Sequence, residues 1–373
     1  MKERRKMKKI SQILGVVLAS LMLTNAEVSA QKIPDTDAQI KKEVNEMSLD
    51  EKLGQLYVSP SVKAPKLQIE DIKKYHLGGV VLFGDDFTGN KEEFKEKLQS
   101  YQNNSEIPLL IATDQEGSSV SRLDSDPQLT NNRLFPSPQQ MFAEQGMKGV
   151  VSEASQTAKI LKDLGINWNF APVADVAESS DSFIYERTLG EDYPTTATYI
   201  KKVVPAMQQQ GVAATLKHFP GYGDAADTHV GFGETTKDKK TMQNEDLLPF
   251  KAGVKAKVDS IMVGHVVAKG LDKDHPASMS KKVNQYLRRD LKYQGVVLTD
   301  DLTMGAILDY AKDNHVNPDL LALQSGNDMI LSNNYDNGIP EIKQAIKQGK
   351  LSEKQVDQSV YRVLKMKQKL HLK

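Results

Sequence analysis

The chain has 373 residues, with 49 Lys+Arg against 49 Asp+Glu and no cysteine. Balanced charge argues against a nucleic-acid binder, and the missing thiols exclude disulfides, thiolate metal sites and a lipid-modified cysteine. The length suits two ordinary domains or one large α/β barrel, so the strand pattern has to choose.

The first thirty residues run from a basic start (Lys2, Arg4, Arg5, Lys6, Lys8, Lys9) through the apolar residues 13–23 to Val28-Ser29-Ala30. That is the layout of a secretory signal peptide. A spanning helix needs about 20 apolar residues, and this stretch is shorter, so cleavage after Ala30 is expected. The mature chain, residues 31–373, would then be secreted, extracellular or associated with the cell wall, with no membrane contact after cleavage. Six of the 49 Lys+Arg and two of the 49 Asp+Glu leave with the signal, so 43 positive groups face 47 negative ones.

Short apolar, β-rich runs then recur at 54–58, 79–83, 109–112, 168–172, 213–216, 260–263, 295–298 and 328–331. Segments of helical periodicity lie between and after them, among them 91–102, 195–210, 244–258, 281–291 and 353–370. Apolar strands alternating with helices predict a parallel sheet covered by helices. Eight such units predict a closed (β/α)8 TIM barrel. Gly78-Gly79 precedes its strand, and Gly221-Tyr222-Gly223 runs into Asp224 where a helix would have to start, so no phosphate-cradling loop is present. With no Pro- or Ser-rich linker after residue 40 and no repeat beyond the β/α rhythm, residues 31–373 read as a single domain.

Barrel active sites are built at the C-terminal ends of the strands. The residues there are Asp85-Asp86, Asp114-Gln115-Glu116, Asp175, Lys217-His218, His265, Asp300-Asp301 and Asn333-Asn334. One Asp after a strand is more often a helix cap than a catalytic group. A ring of carboxylates, amides, Lys and His exceeds what capping explains. Taken alone, Lys217 also fits a Schiff-base lysine, Arg122 and Arg187 fit surface charges, and His229 fits an incidental histidine in the segment 221–233. Asp300 stands where rigid backbone would hold a nucleophile at the barrel mouth. Asp301 should face the other way and cap the following helix.

Ile111-Ala112-Thr113-Asp114-Gln115-Glu116-Gly117, Lys217-His218-Phe219-Pro220-Gly221, Asp227-Thr228-His229 and Leu298-Thr299-Asp300-Asp301 occur in that order. With Asn169-Phe170-Ala171-Pro172, Glu186-Arg187-Thr188-Leu189-Gly190 and Ser325-Gly326-Asn327-Asp328, they make the chain from about Glu51 onward resemble the single-domain bacterial β-N-acetylglucosaminidases of glycoside hydrolase family 3. The resemblance implies a retaining exo-enzyme acting on N-acetylglucosamine-containing glycans, with peptidoglycan-derived muropeptides as the carbohydrate partner. It implies Asp300 as nucleophile and an Asp-X-His dyad at Asp227 and His229, in which the carboxylate orients the imidazole that carries the proton. A histidine that turns neutral after donating its proton leaves no second anion facing Asp300. The resemblance also implies sugar binding by Asp114, Arg122, Arg187, Lys217 and His218.

Two departures concern the loops that admit the sugar: Gly117-Ser118-Ser119 stands where Gly-Gly-Arg is common, and Tyr222 where a histidine is common. A β-glucosidase or an N-acetylglucosaminide phosphorylase of the same family, and a noncatalytic glycan-binding barrel, are the competing readings. Neither a metal nor a cofactor is expected. The histidines at 76, 218, 229, 265, 275, 315 and 371 are scattered, with no His-X-His or Glu-X-X-His ligand pair.

Overall fold

The computed structural model describes residues 36–228, 231 and 233–372. The chain separates into two units, Met1–Gln39 and Ile40–Lys373. Residues 36–39 of the first are described and are helical; the signal segment expected over 1–30 lies outside the described residues.

In the second unit, eight parallel strands close into a barrel: β1 (Tyr57–Pro60), β2 (Gly79–Leu82), β3 (Leu110–Thr113), β4 (Trp168–Asn169), β5 (Ala213–Phe219), β6 (Ser260–Val263), β7 (Val296–Asp301) and β8 (Met329–Leu331). Each strand pairs with its neighbours in the chain, and β8 closes on β1 through Tyr57↔Ile330 and Val58↔Leu331. All eight expected strands form, so the predicted (β/α)8 barrel is the architecture.

Side chains alternate across the wall with period two. Val81, Leu110, Ala112, Ala213, Met262, Val296 and Leu298 share the interior cluster. Their neighbours Val80, Leu82, Ile111, Ala214, Leu216, Ile261, Val263 and Val297 belong to the shell between strands and helices. Inside, Trp168 Nε1 donates to Thr215 Oγ1 at 2.8 Å and Ser260 Oγ at 2.9 Å, so the one polar atom of a large buried ring is satisfied. The helix Glu353–Lys369 adds Val363 and Met366 to the interior cluster, and Lys369 Nζ reaches Asp259 at the start of β6 at 2.5 Å. This helix closes the N-terminal end of the barrel and leaves the C-terminal end for a site.

Several boundaries differ from the sequence expectation for local reasons. Residue 54 belongs to a helix, Leu49–Gly54, which the capping box of Ser48 and Glu51 starts, and β1 begins only at Tyr57. The helix expected over 195–210 starts at Tyr193, since the Asp192 side chain caps it by accepting from Thr195 N at 2.8 Å and Pro194 is tolerated in the first turn. The segment 244–258 is not one helix. Lys239–Asn244 ends at a non-helical Glu245 (φ −124°, ψ −102°), and Leu247–Lys255 begins anew. The 281–291 stretch is α-helical over Lys281–Gln285 and continues as a π-helical turn, Tyr286–Asp290.

Candidate active site

The inward rows of three strands run straight into the chemistry. Leu110 and Ala112 lead to Asp114 and Glu116, Ala213 and Thr215 lead to Lys217, and Val296 and Leu298 lead to Asp300. Strand parity therefore delivers these side chains to the barrel mouth. They line a cavity of about 460 Å³ together with Arg122, Arg187 and His218, with Phe83, Met262, Met304 and Leu331 as apolar walls.

Lys217 organises one half of the cavity. Its ammonium is buried and lies 2.5 Å from both Asp114 Oδ1 and Glu116 Oε1. Arg187 grips Glu116 through two parallel bonds, Nε to Oε2 at 2.9 Å and Nη2 to Oε1 at 2.8 Å. Burial alone would raise the Glu116 carboxyl, but Lys217 and Arg187 hold it down at about 2. Glu116 is thus a fixed anion and not a proton donor. Burial likewise works against the Lys217 ammonium, and Asp114 and Glu116 more than compensate, so its acidity falls. A Schiff-base lysine needs the opposite; that alternative is set aside. Arg122 lies over the Phe83 ring at 5.8 Å, with Nη2 4.0 Å from Asp114 Oδ2 and a buried Nε–H that no acceptor among the described residues takes up. Both arginines are site residues, not surface charges.

His218 faces the same cavity and is oriented from behind. Asp175 is buried, and its Oδ2 accepts from His218 Nδ1 at 2.7 Å and from His218 N at 3.0 Å; its Oδ1 accepts from Tyr222 N at 2.8 Å. Nε2 of His218 lies 3.3 Å from Arg187 Nη2.

On the far wall, burial pushes the Asp300 carboxyl up, but the facing His218 and His265 imidazoles, the Asp301 N–H and Lys217 outweigh it and leave it below the ordinary carboxylate range. The Asp301 N–H donates to Asp300 Oδ1 at 2.9 Å. Asp301 goes the other way: burial raises its carboxyl, and the Asp300 charge adds to that. Adjacent carboxyls driven apart in this manner mark separate roles. Asp301 does not cap the following helix as expected. Its Oδ1 accepts from Thr303 N and Thr303 Oγ1, both at 2.8 Å, fixing a turn, while the helix Gly305–Asn314 starts after Met304 with no side-chain cap. His265 is buried, with Nε2 donating to Asp301 O at 2.9 Å and Nδ1 accepting from Ser278 Oγ at 2.8 Å. Burial favours its neutral form. Fully buried and with both ring nitrogens engaged, it backs Asp301 from behind the residues that line the cavity.

The structure therefore gathers Asp114, Arg122, Arg187, Lys217, His218 and Asp300 around one cavity. Asp227 is half-buried in the segment after β5, and His229 lies outside the described residues. Sequence reasoning placed Glu116 and Asp175 in the ring at the strand ends, with Glu116 only as an alternative proton carrier, and assigned neither to the sugar-holding set. Strand parity is the signal for Glu116, which continues the row of Leu110, Ala112 and Asp114. No local pattern reveals that Asp175 meets His218 across 43 residues.

The model of the glycosyl hydrolase family 3 N-terminal domain matches residues 48–366. The chain is 30 % identical over 386 residues to a protein named β-hexosaminidase A from Pseudoalteromonas piscicida, across 93 % of this chain and 64 % of that protein. It is 32 % identical over 334 residues to β-hexosaminidase LpqI of Mycobacterium tuberculosis, across 86 % of this chain and 83 % of the other. Among solved structures, a family 3 β-N-acetylglucosaminidase from Paenibacillus superposes with a TM-score of 0.80 at 29 % identity, covering 87 % of this chain and 63 % of that one. The chain thus spans just under two thirds of the Pseudoalteromonas and Paenibacillus proteins.

Proposed function

The chain belongs to glycosyl hydrolase family 3, and from that premise we propose that it is a secreted, retaining exo-β-N-acetylglucosaminidase that releases terminal N-acetylglucosamine from peptidoglycan-derived glycans. The observation that carries this reading is the pairing of an ionised Asp300 with a fixed cationic network across one sugar-sized cavity. Carboxylates that accept hydroxyl protons, beside Lys and Arg donors, suit a polyol. The hexosaminidase names of the relatives point to the N-acetylated sugar.

In the proposed reaction Asp300 attacks the anomeric carbon while the glycosidic C–O bond breaks and His229, oriented by Asp227, gives its proton to the departing oxygen. Water then attacks the glycosyl–Asp300 ester as His229 takes the proton back. Export as a mature chain starting at Gln31 belongs to the same proposal. It is checked by sequencing the N-terminus of the extracellular protein, where retained Met1 would refute it.

The test uses purified protein with chromogenic N-acetylglucosaminide and glucoside, each with and without phosphate. The proposal expects cleavage of the first substrate, independent of phosphate. Asp300→Ala should fold normally and lose nearly all turnover. NMR of the first-formed sugar should show the β-anomer; the α-anomer from a β-linked substrate would rule out the covalent route.

A further inference from the structure

Tyr222 is the residue by which this chain departs from the family pattern next to Lys217-His218, and it is held on every side. It is 2 % exposed in a small apolar cluster with Ala177, Ile184, Ala225 and Val266 above the barrel mouth. Its N–H binds the carboxylate of Asp175 that also orients His218. Its ring meets the edges of His218 and Phe183, with centroids 5.0 and 5.1 Å apart. Gly264 packs beside the pair: a Cβ there would stand in ordinary contact with Tyr222 Cε2, at 3.5 Å, and tightly against His218 Cβ, at 3.1 Å. Its hydroxyl then meets Thr228 Oγ1 at 2.5 Å. Thr228 is fully buried, and its carbonyl accepts from Ala306 N at 3.4 Å, at the start of the helix that follows Asp300. Burial, with the Asp300 charge nearby, pushes the phenol well above its ordinary value, so both partners of this bond are neutral hydroxyls and either can donate.

We propose that Tyr222 is a positioning residue: through the buried Tyr222–Thr228 hydroxyl pair it ties the Asp227-Thr228 segment to the Asp175–His218 sugar-holding unit, so that proton delivery is set in register with the bound sugar. The inference rests on the assignment of Asp227 and His229 above. A histidine ring at 222 would not place an oxygen at the same reach, so in this chain the segment and the residue at 222 form a matched pair.

Tyr222→Phe and Thr228→Val each delete one hydroxyl and keep the shape. Losing one buried hydrogen bond that serves only proton delivery should lower kcat about five- to tenfold on chitobiose, whose leaving group needs a proton. The effect on a 2,4-dinitrophenyl N-acetylglucosaminide should stay under about twofold, with KM steady on both, because that phenolate leaves unaided. The double variant should be no worse than either single one. Amide exchange of residues 223–228 in the free protein reads the same strut without any substrate. It should quicken about tenfold in either variant, while β5 exchange is unchanged.

Unchanged exchange in both variants would overturn the strut. Quickened exchange with equal losses on both substrates, or with additive effects, would overturn the positioning role. A wild-type protein that cleaves neither substrate would refute the proposed function, and the exchange measurement would still decide the strut.

Discussion

The two sides of the cavity are built in different ways. On one side Lys217, Asp114 and Glu116 sit at or just beyond strand ends, Arg187 reaches in from the connection after β4, and the four hold one another through contacts of 2.5–2.9 Å. On the other, Tyr222, Thr228 and Gly233 are held through the Asp175–Tyr222 and Tyr222–Thr228 bonds and a backbone bond from Val267 N to Gly233 O at 2.8 Å. In the proposed function, the groups that hold the ground-state sugar are anchored mainly at strand ends. In the proposed mechanism, the groups that move a proton twice, first to an oxygen and later from water, sit on a connection between strands. Stability and sugar binding should therefore fail together when the first region is cut. Leaving-group dependence should respond to the second.

The largest effect should come from Lys217→Met. It removes the cation shared by Asp114 and Glu116, leaving the buried Glu116 carboxylate gripped by Arg187 only from one side and the half-buried Asp114 carboxylate beside it. Breaking a buried ion pair from one side costs about 3–5 kcal/mol, to be read from denaturant midpoints, and sugar affinity should fall with it. A loss under about 1 kcal/mol would mean that the network is solvated in solution, and the contrast between the two regions would fail.

Next in size is the dyad. His229→Ala should slow chitobiose cleavage about 10²–10³-fold, within the range for a positioned general acid, and an activated aryl substrate far less. Asp227→Asn should act on the same step, so the double variant should match the worse single one. Equal slowing of both substrates, with independent multiplicative losses, would move the proton to another residue. Glu116 and His265 are poor replacements, the first fixed as an anion and the second with both nitrogens bonded.

A smaller effect separates the regions by pH. Glu116 has its folded carboxyl depressed to about 2 from an ordinary 4.5. The stability it contributes is therefore present above about pH 4.5 and lost as pH falls toward 2, amounting to about 3 kcal/mol in all. The stability difference between wild type and Glu116→Gln should be flat from pH 5 to 7 and shrink below that. Because Asp301 and other buried carboxyls are shifted upward and pull the opposite way, the difference between the two proteins is the quantity to measure. A difference independent of pH down to 3 would show that Glu116 is not held as the network implies.

Strand rhythm and parity made most of this legible in advance. All eight strands follow from short apolar runs recurring between helical segments, and the two-residue alternation of side chains then carries Asp114, Lys217 and Asp300 to the inward row. Helix limits were less legible where a cap or a non-helical residue decided them, as at Asp192 and Glu245. Contacts between distant loops were not legible at all. Asp175 with His218, and Tyr222 with Thr228 inside a buried cluster, depend on how the connections above the barrel fold onto one another.

The smallest effect belongs to Asp301, next to the proposed nucleophile yet spent on a turn. Asp301→Asn keeps an Oδ1 acceptor for the Thr303 N–H and hydroxyl, so stability should change by no more than about 0.5 kcal/mol. Turnover at neutral pH should stay within about threefold of wild type, against the near-total loss expected for Asp300→Ala. The charge interaction that raises the Asp301 carboxyl is reciprocal, so removing it deprives Asp300 of a nearby anion and should lower the Asp300 carboxyl further. The acid limb of the kcat/KM profile should accordingly move a few tenths of a unit to lower pH, since that limb reports the free enzyme's essential carboxylate. A limb that moves upward, or a loss of activity as deep as that of Asp300→Ala, would mean that the two aspartates act as a pair. The separation of roles between adjacent residues would then have to be given up.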